Sequence, residues 1–257
     1  MNTKLLSQPA LDMIDQYLHF KVGTAECAVP YFNNKNKRQR AGLRAAIGKG
    51  SPKEIFDEVE IVGMKEKIRP DMWTDVLLKK FMCDSDIGID CSGLAYYALA
   101  AENKARGNGS IDRHIAFPNK SFVRRLAAKF RPVENTDVLV LADGRNSVIV
   151  DLQKIEPGDF ITMTGVETER NHIIVVHQVD YQNFVPTSIH YTHSIAWPDD
   201  GQYGHGVRQG MIEIFEPTKN LLEQKWTEKG KTGAENPTYL RAKISKTEIK
   251  RLKWWKE

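Results

Sequence analysis

The chain has 257 residues, of which 41% are apolar and 27% charged, and its formal net charge is +4. It is long enough to bury a core without disulfides or metals, and too weakly basic for charge alone to argue for nucleic acid. Its three cysteines, Cys27, Cys83 and Cys91, contain no CxxC pair, which argues against a structural zinc site, and their odd, widely spread count does not resemble a disulfide framework and fits free thiols in a reducing compartment.

The N-terminal stretch carries polar and acidic residues where a secretion signal needs an unbroken apolar run. No segment approaches the roughly 20 apolar residues of a membrane span. The sequence therefore reads as cytoplasmic, with no membrane span, and with export by a leaderless route as the alternative. Gln8–Phe20 has Leu11, Ile14 and Leu18 at helical spacing and is expected to be a helix ended by Gly23. The stretch 28–50 reads as loop, and its Lys35, Lys37, Arg38, Arg40, Arg44 and Lys49 stand with no acid among them. Such a run is most often a solvated charged face, although it could hold an anion.

Ser51-Pro52-Lys53-Glu54 is a helix start with a capping box, and that helix should reach about Lys67. A second follows Pro70 and should carry Trp73, Val76, Leu77 and Phe81 toward a core. A third should begin at Asp90 or Cys91. Residues 107–119 read as loop, and Ser121–Phe130 as a short helix. Strands are then expected at Asp137–Leu141, Ser147–Val150, Asp159–Met163, His172–Val179, Ser188–His193 and Met211–Phe215. Helices first and strands later is an α+β order. The tail 243–256 is basic, with Leu252, Trp254 and Trp255, which would dock back onto the domain or form an interaction patch.

The chemistry centres on Ile89-Asp90-Cys91-Ser92-Gly93-Leu94. A thiolate is the reactive form of cysteine, and a helix N-terminus favours it through the dipole and the free N–H groups. The same N–H groups can hold an oxyanion. Asp90 is the natural cap, but its charge opposes a thiolate, so a nearby cation is required. Without this context, a free cysteine is most often a small buried hydrophobe. For a base, imidazole suits neutral pH. Strand alternation puts His172, Ile174 and Val176 on one face and His177 on the other. His190 and His193 also face opposite ways. The histidines lie on two faces and no HExxH helix is present, so neither a metal nor another cofactor is expected.

Asp90-Cys91-Ser92-Gly93-Leu94 followed by an apolar helix resembles the NlpC-type cysteine peptidases, papain-like enzymes that mostly cut peptidoglycan stem peptides. Glu156-Pro157-Gly158-Asp159-Phe160 resembles that family's Pro-Gly-Asp turn. Asn171-His172-Ile173-Ile174 resembles its base-bearing strand, and Tyr191-Thr192-His193-Ser194 the following strand. Val29-Pro30-Tyr31 resembles its Pro-Tyr element. The resemblance covers Ala28–Tyr31 and roughly Asp90–Ser194 and departs in three ways: Phe32-Asn33-Asn34 stands where a Gly-Gly pair is usual, two helices separate Tyr31 from Cys91, and the stretch from Cys91 to His172 is long, with Ala101–Arg145 reading as an insertion.

The resemblance implies a papain-like α+β fold in which N-terminal helices pack on an antiparallel sheet, with helical insertions. Residues 1–89 would be an N-terminal helical region, 90–216 the catalytic core with an insertion at about 101–145, and 217–257 a basic extension. It implies Cys91 as nucleophile, His172 as base, His193 as the residue that orients it (His190 being the other candidate), and a Tyr31 hydroxyl near the oxyanion. The implied reaction is hydrolysis of a peptide or peptidoglycan-like amide through a thioester. An acyltransferase on the same fold, an inactive binding module and a nucleic-acid binder using the 35–49 loop are the rival readings, nucleic acid being the one not expected.

Overall fold

The computed structural model describes residues 2–34, 44–118, 122–165 and 171–255. The architecture is α+β: helices and one large antiparallel sheet. In chain order the elements are β1 (Asn2–Leu5), α1 (Gln8–Leu18), β2 (Phe20–Val22), β3 (Ala25–Cys27), α2 (Pro52–Lys65), α3 (Asp75–Asp84), α4 (Cys91–Ala105), α5 (Phe122–Phe130), α6 (Pro132–Asn135), α7 (Val138–Ala142), β4 (Ser147–Ile149), β5 (Phe160–Gly165), β6 (His172–Gln182), β7 (Val185–Ile195), β8 (Gly206–Glu213), β9 (Lys225–Glu228), β10 (Lys231–Thr232), α8 (Pro237–Lys243) and β11 (Ser245–Leu252).

The sheet runs β10-β9-β8-β7-β6-β5-β11-β4. β1 pairs with the far half of β6, from Leu5↔Gln178 to Asn2↔Tyr181. One face of the sheet packs on α4, whose Ala95, Ala98 and Leu99 meet Phe160, Ile173, Val175 and Leu252. The other face buries Ile161, Ile174, Val176, Tyr191 and Trp226 with Ala242 of α8. α2, α3 and the β2–β3 hairpin form a separate apolar cluster around Ile55, Val59, Trp73 and Phe81.

Several expectations are corrected. The first helix stops at Leu18, because Phe20–Val22 alternates buried and exposed and pairs with Ala25–Cys27 across Gly23. Ser51 and Glu54 make the capping box, and α2 ends at Lys65. In α3 the buried side chains are Leu78, Phe81 and Met82, while Val76 is 79% exposed. Asp137–Leu141 is not a strand: Asp137 caps Val140 N–H and the apolar run forms the short helix α7. The strand expected from Met211 begins at Gly206.

The tail is part of the sheet. Its β11 lies between β5 and β4, with Ile249↔Ile161 and Arg251↔Val148 in register. Arg251 clamps Asp159 through Nε and Nη2, at 2.7 and 2.9 Å, so the aspartate of the Pro-Gly-Asp turn anchors the C-terminal strand. The indole N–H groups of Trp254 and Trp255 both donate to Asn103 Oδ1, at 2.7 and 2.8 Å. Segment 217–257, expected as an extension, thus supplies β9, β10, α8 and β11 to the same body.

Candidate functional site

Asp90 caps α4 by accepting from Gly93 N–H at 2.6 Å, which sets Cys91 as the first helical residue. Ile89 is held in place from three sides. It bridges to Tyr31 and to Lys49, and its carbonyl accepts the Ser194 hydroxyl at 2.7 Å. This ties the helix start to the Pro-Tyr element and to the end of β7.

The thiol meets β6 at its first residues. Val176 N–H is donated to Asp159 on the β5 side, so by alternation Ile173 N–H points toward β7. The β6–β7 ladder begins only at Val175↔Thr192. Ile173 N–H is therefore left outside that ladder, and it acts on the Cys91 thiol in the direction that favours the thiolate. β7 itself runs on to Ile195 against β8, so only its ladder with β6 is open at this point. Cys91 is 6% exposed and opens on a cavity of about 380 Å³ that Asn33, Lys49, Glu134, Asp137 and Asn171 also line.

His172 and His193 come together: Nε2 of the first lies 2.8 Å from Nδ1 of the second, and both rings are buried. They share the sheet face of Tyr191 and Trp226. His190 and His177 are elsewhere. His190 is bound to Asp180 at 3.0 Å, and His177 to the Thr192 hydroxyl at 3.0 Å. His205 accepts Tyr31 backbone N–H on Nδ1 at 3.1 Å and so supports the Pro-Tyr element.

Electrostatically the thiol of Cys91 and the imidazole of His172 are each held toward the neutral form. Burial pushes the Cys91 thiol up to about 11, and Asp90 adds to this; the Ile173 N–H, Lys49 and Arg241 oppose it without prevailing. Burial pushes His172 well below the ordinary imidazole value, assisted by His193 and Arg241. Desolvation thus outweighs the support that the helix start lends a thiolate. Burial also raises Tyr31 to about 12, with Cys91 as the next cause, so its hydroxyl keeps its proton as a donor near the thiol.

Three charged residues of the site, Lys49, Arg241 and Glu228, escaped the sequence reading. Lys49, expected on a solvated face, is buried and donates to Asp90 Oδ1, Ser92 Oγ and Thr136 O at 3.0, 2.6 and 3.1 Å. It is the cation that Asp90 required. Arg44, from the same stretch, stands 3.5 Å from both Glu54 and Glu134; residues 35–43 lie outside the described residues. Arg241 of α8 acts on Cys91, Tyr31 and His172 alike. Glu228 of β9 lies 3.0 Å from His193 Nε2. Lys49 could have been suspected from the required cation; the others had no local signal.

Among the described residues, no helix is long and apolar enough to cross a membrane. Comparison of the whole chain with protein-family models, with curated proteins and with solved structures gives no match.

Proposed function

We propose that the chain is a cysteine-nucleophile amide hydrolase with a papain-like catalytic core. The observation that carries this reading is the thiol of Cys91 at a helix start, opening on a cavity that Asn171, the residue before His172, also lines, together with the pairing of His172 with His193 at 2.8 Å.

The steps follow from a neutral thiol and a neutral imidazole. His172 takes the Cys91 proton as the sulfur attacks the amide carbon, forming the C–S bond and an oxyanion. First-turn N–H groups of α4 and the Tyr31 hydroxyl stabilise that oxyanion. Gly93 N–H is already committed to Asp90, which leaves the N–H groups of Cys91 and Ser92 for this task. The C–N bond then breaks, and His172 gives its proton to the leaving amine. In the second half, His172 deprotonates a water that attacks the thioester; the C–S bond breaks, the acid leaves, and the proton returns to the thiol. His193 keeps His172 in one orientation throughout.

The resemblance to NlpC-type enzymes makes peptidoglycan stem peptides the leading substrate class. The test is release of free amino groups from purified peptidoglycan sacculi by the intact chain, with product masses recorded. Turnover that disappears in Cys91→Ala, with an unchanged thermal melt, is the expected result. Release that survives Cys91→Ala would overturn the nucleophile assignment, and no release from sacculi would overturn the substrate class. Offering a competing amine distinguishes the acyltransferase, whose product gains the mass of that amine.

A further inference from the structure

The pair of imidazoles does not end at His193. Its Nε2 faces Glu228 Oε2 at 3.0 Å, out of line with the N–H, and neither side chain has any solvent exposure. The same carboxylate oxygen accepts the Tyr191 hydroxyl at 2.8 Å. We propose that Glu228 is the terminal positioning residue of the site: acting through His193, it fixes both rings as Nε2–H tautomers and leaves Nδ1 of His172 as the basic nitrogen. This rests on the reading of His172 as the base.

The tautomers follow from what each atom can do. A carboxylate only accepts, so His193 Nε2 carries the proton and its Nδ1 is an acceptor. His172 Nε2, 2.8 Å from that Nδ1, must then be the donor. One imidazole nitrogen per neutral ring bears hydrogen, so His172 Nδ1 is unprotonated.

An ordinary ion pair with Arg208 does not account for Glu228. Arg208 keeps its short contact, 2.6 Å, for Asp200 and stands 3.9 Å from Glu228. Lys229, the neighbour of Glu228 in sequence, is bound to Asp200. Burial would raise the Glu228 carboxyl, yet His193, the Tyr191 hydroxyl and Arg208 together hold it below its usual range, so it is ionised beside His193.

The sheet is also built around this contact. Tyr191 pairs with Gly210 on β8, and continuing the β8–β9 register by one from Met211↔Thr227 sets Glu228 opposite Gly210. A Cβ at 210 would lie 2.3 Å from the Tyr191 hydroxyl oxygen. Only glycine there lets the tyrosine reach across β8 to the carboxylate.

The test uses the ¹⁵N-labelled intact chain. Long-range ¹H–¹⁵N correlation of the ring nitrogens at pH 7.5 should show His172 and His193 both as Nε2–H, and Glu228→Gln should abolish that preference at His193. On any Cys91-dependent substrate, Glu228→Gln should lower kcat on the order of tenfold to a hundredfold. KM should change less than about twofold, and the acid limb of the pH profile should move to lower pH, because the base loses its support. A wild-type His193 protonated on Nδ1 would overturn the proposal, as would an unshifted pH profile in a folded Glu228→Gln. If that variant does not fold, the wild-type spectrum decides alone. Absence of any Cys91-dependent turnover would sink the enzymatic reading separately, since the tautomers are read without substrate.

Discussion

His172 Nε2 and His193 Nδ1 stand 2.8 Å apart on neighbouring strands, while His190, three residues before His193 on β7, is held by Asp180 of β6. The two candidates for the orienting role therefore make opposite claims on mutation. His193→Ala should lower turnover on the order of tenfold to a hundredfold with little change in KM, whereas His190→Ala should leave both constants near wild type. Steady-state kinetics on the same substrate checks this.

Lys49 is 8% exposed in its side chain and Asp90 10%, and the ammonium also holds Ser92 and Thr136. Removing one partner of such a pair leaves an uncompensated buried charge. Lys49→Met should cost about 3–5 kcal/mol of folding stability, and Lys49→Met with Asp90→Asn should cost less than the first change alone. Urea unfolding at pH 7 measures both.

Arg251 binds Asp159 with two nitrogens and also donates to Lys154 O at 2.8 Å. Asp159 is buried, so Arg251→Ala should destabilise the chain by about 3 kcal/mol. It should also speed amide exchange selectively in β4 and β11. Arg251→Lys should restore only part of this, because an ammonium cannot replace the two-pronged contact. Hydrogen exchange by strand separates local loosening from global unfolding.

The pH dependence of stability has a definite sign. Burial holds His172 well below 6.5 and His177 at about 4. The unfolded chain therefore binds more protons below about pH 6.5. Stability should be full above that pH and fall as pH drops from 6.5 toward 4. Each histidine should contribute a slope of about 1.4 kcal/mol per pH unit. His177→Gln should reduce the slope by one histidine's share, as read by urea midpoints at pH 7 and pH 5.

What was legible in the sequence was local. The Asp90 cap, the capping box at Ser51 and Glu54, and the strands of His172 and His193 are set by neighbours a few residues away. Asp137–Leu141 was misread because a five-residue apolar run has no decisive period; its capping aspartate was the better signal. Lys49, Arg241 and Glu228 reach the site through sheet order and loop closure over tens of residues, and β11 enters between β5 and β4 from the far end of the chain. No spacing within a segment encodes such pairings. The resting charge state is illegible in the sequence for a related reason. It depends on how deeply the first turn of α4 is buried, which the packing of β6 and β7 decides.

The account rests on Cys91 and His172 acting as one unit, and the pH–rate profile of thiol modification tests this most directly. In a Cys27→Ser, Cys83→Ser background, reaction with 2,2′-dithiodipyridine should proceed at a rate nearly independent of pH between about 6.5 and 9, because the base takes the proton of a thiol whose own value lies near 11. In His172→Ala the rate should instead climb about tenfold per pH unit over that range, as for an unassisted thiol. Identical profiles with and without the imidazole would contradict the account.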